Sequence, residues 1–193
     1  MLYKYLSAVA TVLILALPVA AQSTSPKFTD YPVNDLYQGK YAKAKTGKGL
    51  GQPHPEGGYL PSMFRTRLNA AAESQLVNFA GHYILTTWGC GSGGCVDGAI
   101  IDAKSGDVFW LPRSACCAEG DNYFYEKKSR LLKVVANEGQ KLSVSEEEAL
   151  GKREQAGKEV PFEDYAPRSV EYSYIFDGLK FKEIFRREMS RKR

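Results

Sequence analysis

Histidine, cysteine and net charge are all scarce in this chain of 193 residues. It has two histidines, four cysteines and a formal net charge of +4, from 26 basic and 22 acidic side chains. Without the first 21 residues, which carry Lys4 and no acid, the charge falls to +3. A charge this small argues against nucleic acid as a partner. No two carboxylates stand out as a glycosidase pair, which argues against that class of enzyme as well.

Long apolar runs are also missing, apart from one near the N-terminus. Residues 6–17 are largely apolar, with Lys4 before them and Pro18 and small residues up to Ala21 after them. The run is shorter than the roughly 20 residues that a membrane-spanning helix needs. The pattern predicts a secretory signal peptide over 1–21. No cysteine at the cleavage site could carry a lipid, so we expect a periplasmic or secreted protein with no stable membrane anchor after cleavage.

The segment after the signal peptide lacks the periodicity of a helix or a strand. Residues 22–60 are rich in Lys, Gly, Pro and Ser, and we interpret them as an irregular N-terminal arm. A short helix should begin after Pro61 with Ser62 as N-cap and end near Gln75. Its apolar face would carry Phe64, Leu68 and Ala71.

From Phe79 onward the pattern changes to short strands separated by turn residues. This predicts an α+β fold, mainly an antiparallel β-meander of consecutive hairpins in one sheet, with one or two short helices. In the first hairpin His82 should lie opposite a residue close to Ala103. The last hairpin should turn at Asp177-Gly178 in a type I′ turn. The single domain would span 61–187, with a surface helical insertion at about 143–168 and a basic tail at 188–193.

An even number of cysteines in an oxidising compartment predicts disulfides. The candidates are Cys90, Cys95, Cys116 and Cys117. A tight Cys90–Cys95 closure suits the glycines between them, and pairing between the two cysteine loops is an equal alternative. The spacing is a poor match to structural zinc sites, so we expect neither a metal nor another cofactor.

The positions of the histidines argue against a catalytic cysteine. His82 and Cys90 are eight residues apart, or roughly 26 Å along an extended strand, so His82 cannot act as its base. A papain-like enzyme would require a histidine after the cysteine, and no histidine follows Cys95. His54 has no predictable position. We therefore assign no catalytic residue.

The two loops that carry the cysteines form the candidate binding surface. They are residues 89–97 and 112–120, and the first has a tryptophan at its edge that could equally pack in the core. Asp97 could simply shape a turn or a cap. The expected surface residues are Trp88, Gly91, Gly93, Gly94, Asp97 and Arg113.

The block "NFAGHYILTTWGCGSGGCVDGAIIDAKSGDVFWLP" resembles a family of small exported bacterial proteins of uncharacterised function. With its flanking segments the likeness covers about residues 61–137 and 169–185. It implies an exported location and an α+β fold, and no activity. We expect a non-enzymatic envelope protein, inhibitor-like or immunity-like, that binds an unknown protein or small ligand.

The alternative hypothesis is a cell-wall enzyme. The segment "SGGCVDG" resembles the Ser-His-Gly-Cys-Ile-Arg signature of L,D-transpeptidases, with Cys95 as the nucleophile. Gly93 stands where that family has histidine, and Asp97 stands where it has arginine.

Overall fold

The computed structural model describes residues 24–48, 51–90, 94–116, 122–138 and 168–189, together with Lys152. The expected signal peptide, almost all of the expected insertion at 143–168, and the loop residues Gly91, Gly93 and Cys117 lie outside this part of the chain. None of the helices in the described ranges is both long enough and apolar enough to cross a membrane.

The strands form two antiparallel four-stranded sheets. In the first sheet β1 (Tyr83–Gly89), β2 (Cys95–Asp102) and β3 (Val108–Trp110) pair in order, and β4 (Ala115–Cys116) also pairs with β2. The second sheet has the order β5 (Tyr123–Tyr125), β6 (Leu131–Glu138), β7 (Arg168–Phe176) and β8 (Phe181–Glu188). The α+β fold with antiparallel strands is as expected, but the strands form two sheets instead of one, and β4 pairs with β2 and not with its neighbour β3.

The two sheets share one hydrophobic core. Alternate side chains of β1 and β2, such as Leu85 and Ile100, pack in the same cluster as Val134, Tyr172 and Phe176 of the second sheet. Burying both inner faces against each other requires two layers, and a single sheet with one helix could not cover them.

The opposite face of the first sheet carries a second core. Ile84 and Ile101 pack there against Leu68 and Ala71 of helix α1 (Arg65–Ser74). A 3₁₀ turn over Pro61–Phe64 leads into the helix. The helix is therefore close to its expected position, but Ser62 lies inside this turn and is not the N-cap. Proline fits the first position of such a turn because it has no N–H to satisfy.

The arm is irregular, as expected, apart from a 3₁₀ turn at Phe28–Asp30. Its backbone is nevertheless bonded to the domain along its length. The N–H of Ala42 donates to the carbonyl of Ala103 at 2.9 Å, and the N–H of Lys45 donates to the carbonyl of Gly106 at 2.7 Å. These bonds satisfy the polar backbone groups that a buried irregular segment would otherwise leave unpaired. The arm is thus part of the fold.

The hairpin of β7 and β8 is confirmed, but its turn differs from the one expected. The N–H of Asp177 donates to the carbonyl of Lys180 at 3.1 Å, so the two central residues are Gly178 and Leu179. Only Gly178 has a positive φ, at 101°. A type I′ turn needs positive φ at both central residues, so that assignment was wrong.

Candidate functional site

A disulfide closes the exposed end of the β1–β2 hairpin. Cys90 and Cys95 are bonded, with their Cα atoms 5.2 Å apart. The N–H of Cys90 also donates to the carbonyl of Cys95 at 2.9 Å. Of the two pairings left open by the sequence, the structure has the tight closure. Cys116 lies opposite Cys95 in the register of β2 and β4.

His82 lies at the other end of the same hairpin. The carbonyl of His82 accepts the N–H of Ala103 at 2.9 Å, which confirms the expected register. Its Nε2 is 4.0 Å from a carboxyl oxygen of Asp102. Burial lowers the pKa of the His82 imidazole. The disulfide follows Gly89, so β1 separates His82 from both sulfurs.

The other histidine occupies a position that the sequence did not indicate. His54, from the arm, and Asp97, from β2, both have side chains with 0% exposure. Nε2 of His54 lies 3.3 Å from Oδ1 and 3.2 Å from Oδ2 of Asp97. Nδ1 accepts the backbone N–H groups of Glu56 and Gly57, each at 3.1 Å. Since Nδ1 accepts, the ring carries its proton on Nε2 and donates it to Asp97.

Two further donors complete the surroundings of Asp97. The backbone N–H of Gly98 donates to Oδ1 at 2.7 Å, and the hydroxyl of Tyr59 donates to Oδ2. Burial and the bond to Asp97 raise the pKa of Tyr59 far above its usual value. Asp97 was expected on the binding surface, or as a residue that shapes a turn or a cap, but it is 0% exposed and joins the arm to β2 from inside. A buried carboxyl group is tolerated here because three donors satisfy it.

Aromatic rings surround this cluster. The ring of His54 stacks on Tyr59 at 4.3 Å between centroids and meets the edge of Trp110 at 5.1 Å. Phe64 stacks on Trp88 at 5.1 Å. Trp88 is only 7% exposed, so it packs in the core and is not a surface contact. We call His54, Tyr59, Asp97 and Trp110 the brace.

The surface over the brace is formed by the hairpin end and the edge of β1. Thr87, Gly89, Cys90 and Gly94 are exposed. Both backbone groups of Leu85 point away from β2, because the side chain of Asn78 accepts its N–H at 2.7 Å and donates to its carbonyl at 3.0 Å. Strand periodicity directs the backbone groups of Thr87 the same way, and they have no partner among the described residues.

Arg113 does not reach outward from its loop. Its guanidinium lies 4.2 Å from the ring centroid of Tyr172, and Nε donates to the hydroxyl of Tyr174 at 3.4 Å. Nη1 is 3.6 Å from Glu138. Burial alone would lower the pKa of Arg113, but these partners outweigh it and the net shift is upward. Arg113 is therefore held against the second sheet.

The brace has the pairing of a general base with its orienting carboxylate, but not the access that catalysis needs. The side chains of His54 and Asp97 are both 0% exposed, and the sulfur of Cys95 is bonded to that of Cys90. Nowhere in the described ranges are three His, Cys, Asp or Glu side chains placed to hold a metal ion.

One sequence signal could have located Asp97. It has the same parity in β2 as Ala99 and Ile101, so a carboxyl group on a buried face required donors from elsewhere.

Comparison of the chain with family models, curated proteins and solved structures found no match, so the resemblance noted above stays a prediction.

Proposed function

We propose that the protein is an exported, non-enzymatic binding module of the cell envelope, of inhibitor or immunity type. Its binding surface would be the disulfide-closed hairpin end and the adjoining edge of β1. The observation that carries the proposal is the double restraint on this end, by the disulfide outside and the brace beneath. A surface fixed before binding loses little conformational entropy when a partner docks, and protein inhibitors gain affinity in this way.

The edge of β1 supports a particular type of partner. The N–H and carbonyl of Thr87 are presented in the geometry of a strand edge, next to a groove lined by Leu76, Asn78, Leu85 and Tyr125. An extended segment could add to β1 at this position and place a side chain in the groove. The side chain of Asn78 already bonds the outward backbone groups of Leu85. An added strand would therefore pair with Thr87 and not with Leu85, which would set its register.

Nothing in the site favours the cysteine enzyme. Its nucleophile would have to be a thiolate at Cys95, whose sulfur is bonded to Cys90. His54 is bonded to Asp97 and His82 lies at the far end of the hairpin. Neither imidazole is placed to activate a thiol.

Site-specific photocrosslinking in cells that export the protein tests the proposal. A photoreactive residue replaces Leu76, which is 75% exposed beside the β1 edge, or Leu179, which is 79% exposed at the β7–β8 turn and serves as the matched control. We expect a discrete adduct from position 76 only. Thr87→Pro should abolish it because proline removes the outward N–H, whereas Thr87→Val should keep it.

The control variants make the outcome decisive. Thr87→Pro does not remove a bond between β1 and β2, since the N–H of Thr87 faces away from β2. Equal adducts from positions 76 and 179, no adduct at either, or an adduct that survives Thr87→Pro would each contradict the proposal.

A further inference from the structure

A cleft of about 410 Å³ opens at the end of the domain opposite the disulfide. It lies between the arm, the turn before β1, the turn between β2 and β3, and the β7–β8 hairpin. This volume lies within the range of pockets that hold small molecules. Its lining includes two acidic side chains, two basic side chains and two aromatic rings, which are Asp35, Asp177, Lys104, Arg130, Tyr83 and Phe176.

The floor of the cleft is apolar and aromatic. Tyr83 and Phe176 are 5% and 1% exposed, and their rings meet edge to face at 4.9 Å. Ala80 beside them has a φ of 41°, an uncommon conformation for a residue other than glycine. Gly81 follows with a φ of 81°, and a Cβ atom there would lie 2.4 Å from the carbonyl oxygen of Asp35. The N–H of Tyr37 donates to the carbonyl of Gly81 at 2.9 Å, and this bond holds the arm against the turn.

The charged groups on the two walls differ in their partners. On one wall Lys104 and Asp35 are 3.5 Å apart and neutralise each other. On the other wall Arg130 and Asp177 are neighbours, because the N–H of Phe176 donates to the carbonyl of Arg130 at 3.1 Å. Within the described ranges neither of these two side chains has an ion-pair partner. One cation and one anion are thus available on the same wall, above an aromatic floor.

Two neutral polar groups complete the cleft. The imidazole of His82 is 26% exposed on its side chain. The hydroxyl of Tyr83 has no hydrogen-bond partner among the described residues. Its burial, with the negative charges of Asp102, Asp107 and Asp177, raises its pKa to about 12, so it stays protonated at neutral pH. The charges of Asp35, Lys104, Arg130 and Asp177 cancel, so a ligand without net charge fits the cleft best.

We infer that this cleft binds a small zwitterion with an aromatic or apolar body, of the amino acid class. The carboxylate of the ligand would pair with Arg130 and its ammonium group with Asp177. The body would lie on Tyr83 and Phe176. This site is separate from the surface proposed above, since Thr87 and the disulfide lie at the other end of the hairpin.

Three probes that share one aromatic body separate the contributions of the two charges. L-phenylalanine carries both charges, phenylacetate only the carboxylate and phenethylamine only the ammonium group. Calorimetric titration of the mature protein at neutral pH should show that L-phenylalanine binds at least about tenfold more tightly than either singly charged probe, because each charge-assisted bond contributes that much.

Variants assign each charge to its residue. Arg130→Gln should weaken L-phenylalanine and phenylacetate but not phenethylamine, and Asp177→Asn should weaken L-phenylalanine and phenethylamine but not phenylacetate. Asn keeps an oxygen for the N–H groups of Leu179 and Lys180, which Asp177 now accepts at 2.9 Å each. Arg67→Gln, at an exposed position on α1, is the matched control and should change nothing.

The inference is overturned if L-phenylalanine binds more weakly than about 1 mM to the unmodified protein. It is also overturned if phenylacetate or phenethylamine binds as tightly as the zwitterion. Either result leaves the photocrosslinking experiment at the hairpin end unaffected.

Discussion

Replacing Asp97 tests the brace directly. Asp97→Ala removes the acceptor of three donors, the Nε2–H of His54, the hydroxyl of Tyr59 and the N–H of Gly98. The hydroxyl of Tyr59, a half-buried residue, can turn toward water. The other two donors lie beside a carboxyl group that is 0% exposed, and they lose their bonds in the interior. Each buried donor left without an acceptor costs about 1–3 kcal/mol, so the two together should lower the unfolding free energy by about 2–6 kcal/mol.

Asp97→Asn separates the loss of bonds from the loss of shape. The amide oxygen can still accept from Gly98 and His54, and the amide nitrogen can donate to the hydroxyl of Tyr59. The bond to the Tyr59 hydroxyl must reverse its direction, and the acceptor of the other two bonds is no longer charged. We therefore expect the unfolding free energy to fall by about 1–2 kcal/mol. Asp35→Ala is the matched control, since its side chain is 85% exposed, and should stay within about 0.5 kcal/mol of the unmodified protein.

Urea denaturation followed by tryptophan fluorescence measures these differences, because Trp110 belongs to the brace and Trp88 packs against it. A domain of this size is stable by only about 5–15 kcal/mol, so the expected loss in Asp97→Ala is easily resolved. A loss below about 1 kcal/mol, or an Asn variant as unstable as the Ala variant, would show that the carboxyl group does not hold the arm.

Three other perturbations have defined outcomes. Changing both Cys90 and Cys95 to Ser opens a six-residue loop and should cost about 2 kcal/mol by urea denaturation, whereas an unchanged midpoint would refute the closure. Burial raises the pKa of Tyr83 from 10.0 to about 12. The contribution of Tyr83 to stability is therefore complete below pH 10 and is lost between pH 10 and about 12. The stability of Tyr83→Phe should decline less steeply over that interval. Burial alone would raise the pKa of Glu171, but hydrogen bonds, led by the one from Ser25, lower this pKa from 4.5. The contribution of Glu171 to stability is therefore lost as the pH falls below 4.5. Glu171→Gln should make the loss of stability in acid shallower.

The hairpins could be predicted from the sequence because their signals are local. Side chains alternate along β1 and β2, and glycine marks the turn after β7. Alternation also fixed the register of His82 opposite Ala103, since a shift by one residue would turn every buried side chain outward. The exact turn at Gly178 could not be predicted, because Asp-Gly and Gly-Leu are both acceptable as central pairs and cross-strand pairing decides between them.

The position of the arm could not be predicted because its contacts are distant in sequence. His54 and Asp97 are 43 residues apart, and the segment around His54 has no periodic pattern that would assign it to a face. The division into two sheets is non-local in the same way. Nothing near Tyr123 indicates whether β5 should extend the first sheet or begin another, since that depends on which inner faces bury each other.

The disulfide and the brace act on the same strand, and a double-mutant cycle can show whether they act together. Cys95 begins β2 and Asp97 lies two residues later in the same strand. Opening the disulfide should let the start of β2 fray, and this should weaken the hydrogen bonds that Asp97 accepts. Part of the stabilisation by the brace is then already lost before Asp97→Ala is added. The combined loss should be smaller than the sum of the separate losses by at least about 0.5 kcal/mol. Additive losses would mean that the two restraints hold independent parts of the hairpin end, and that the exposed loop depends on the disulfide alone.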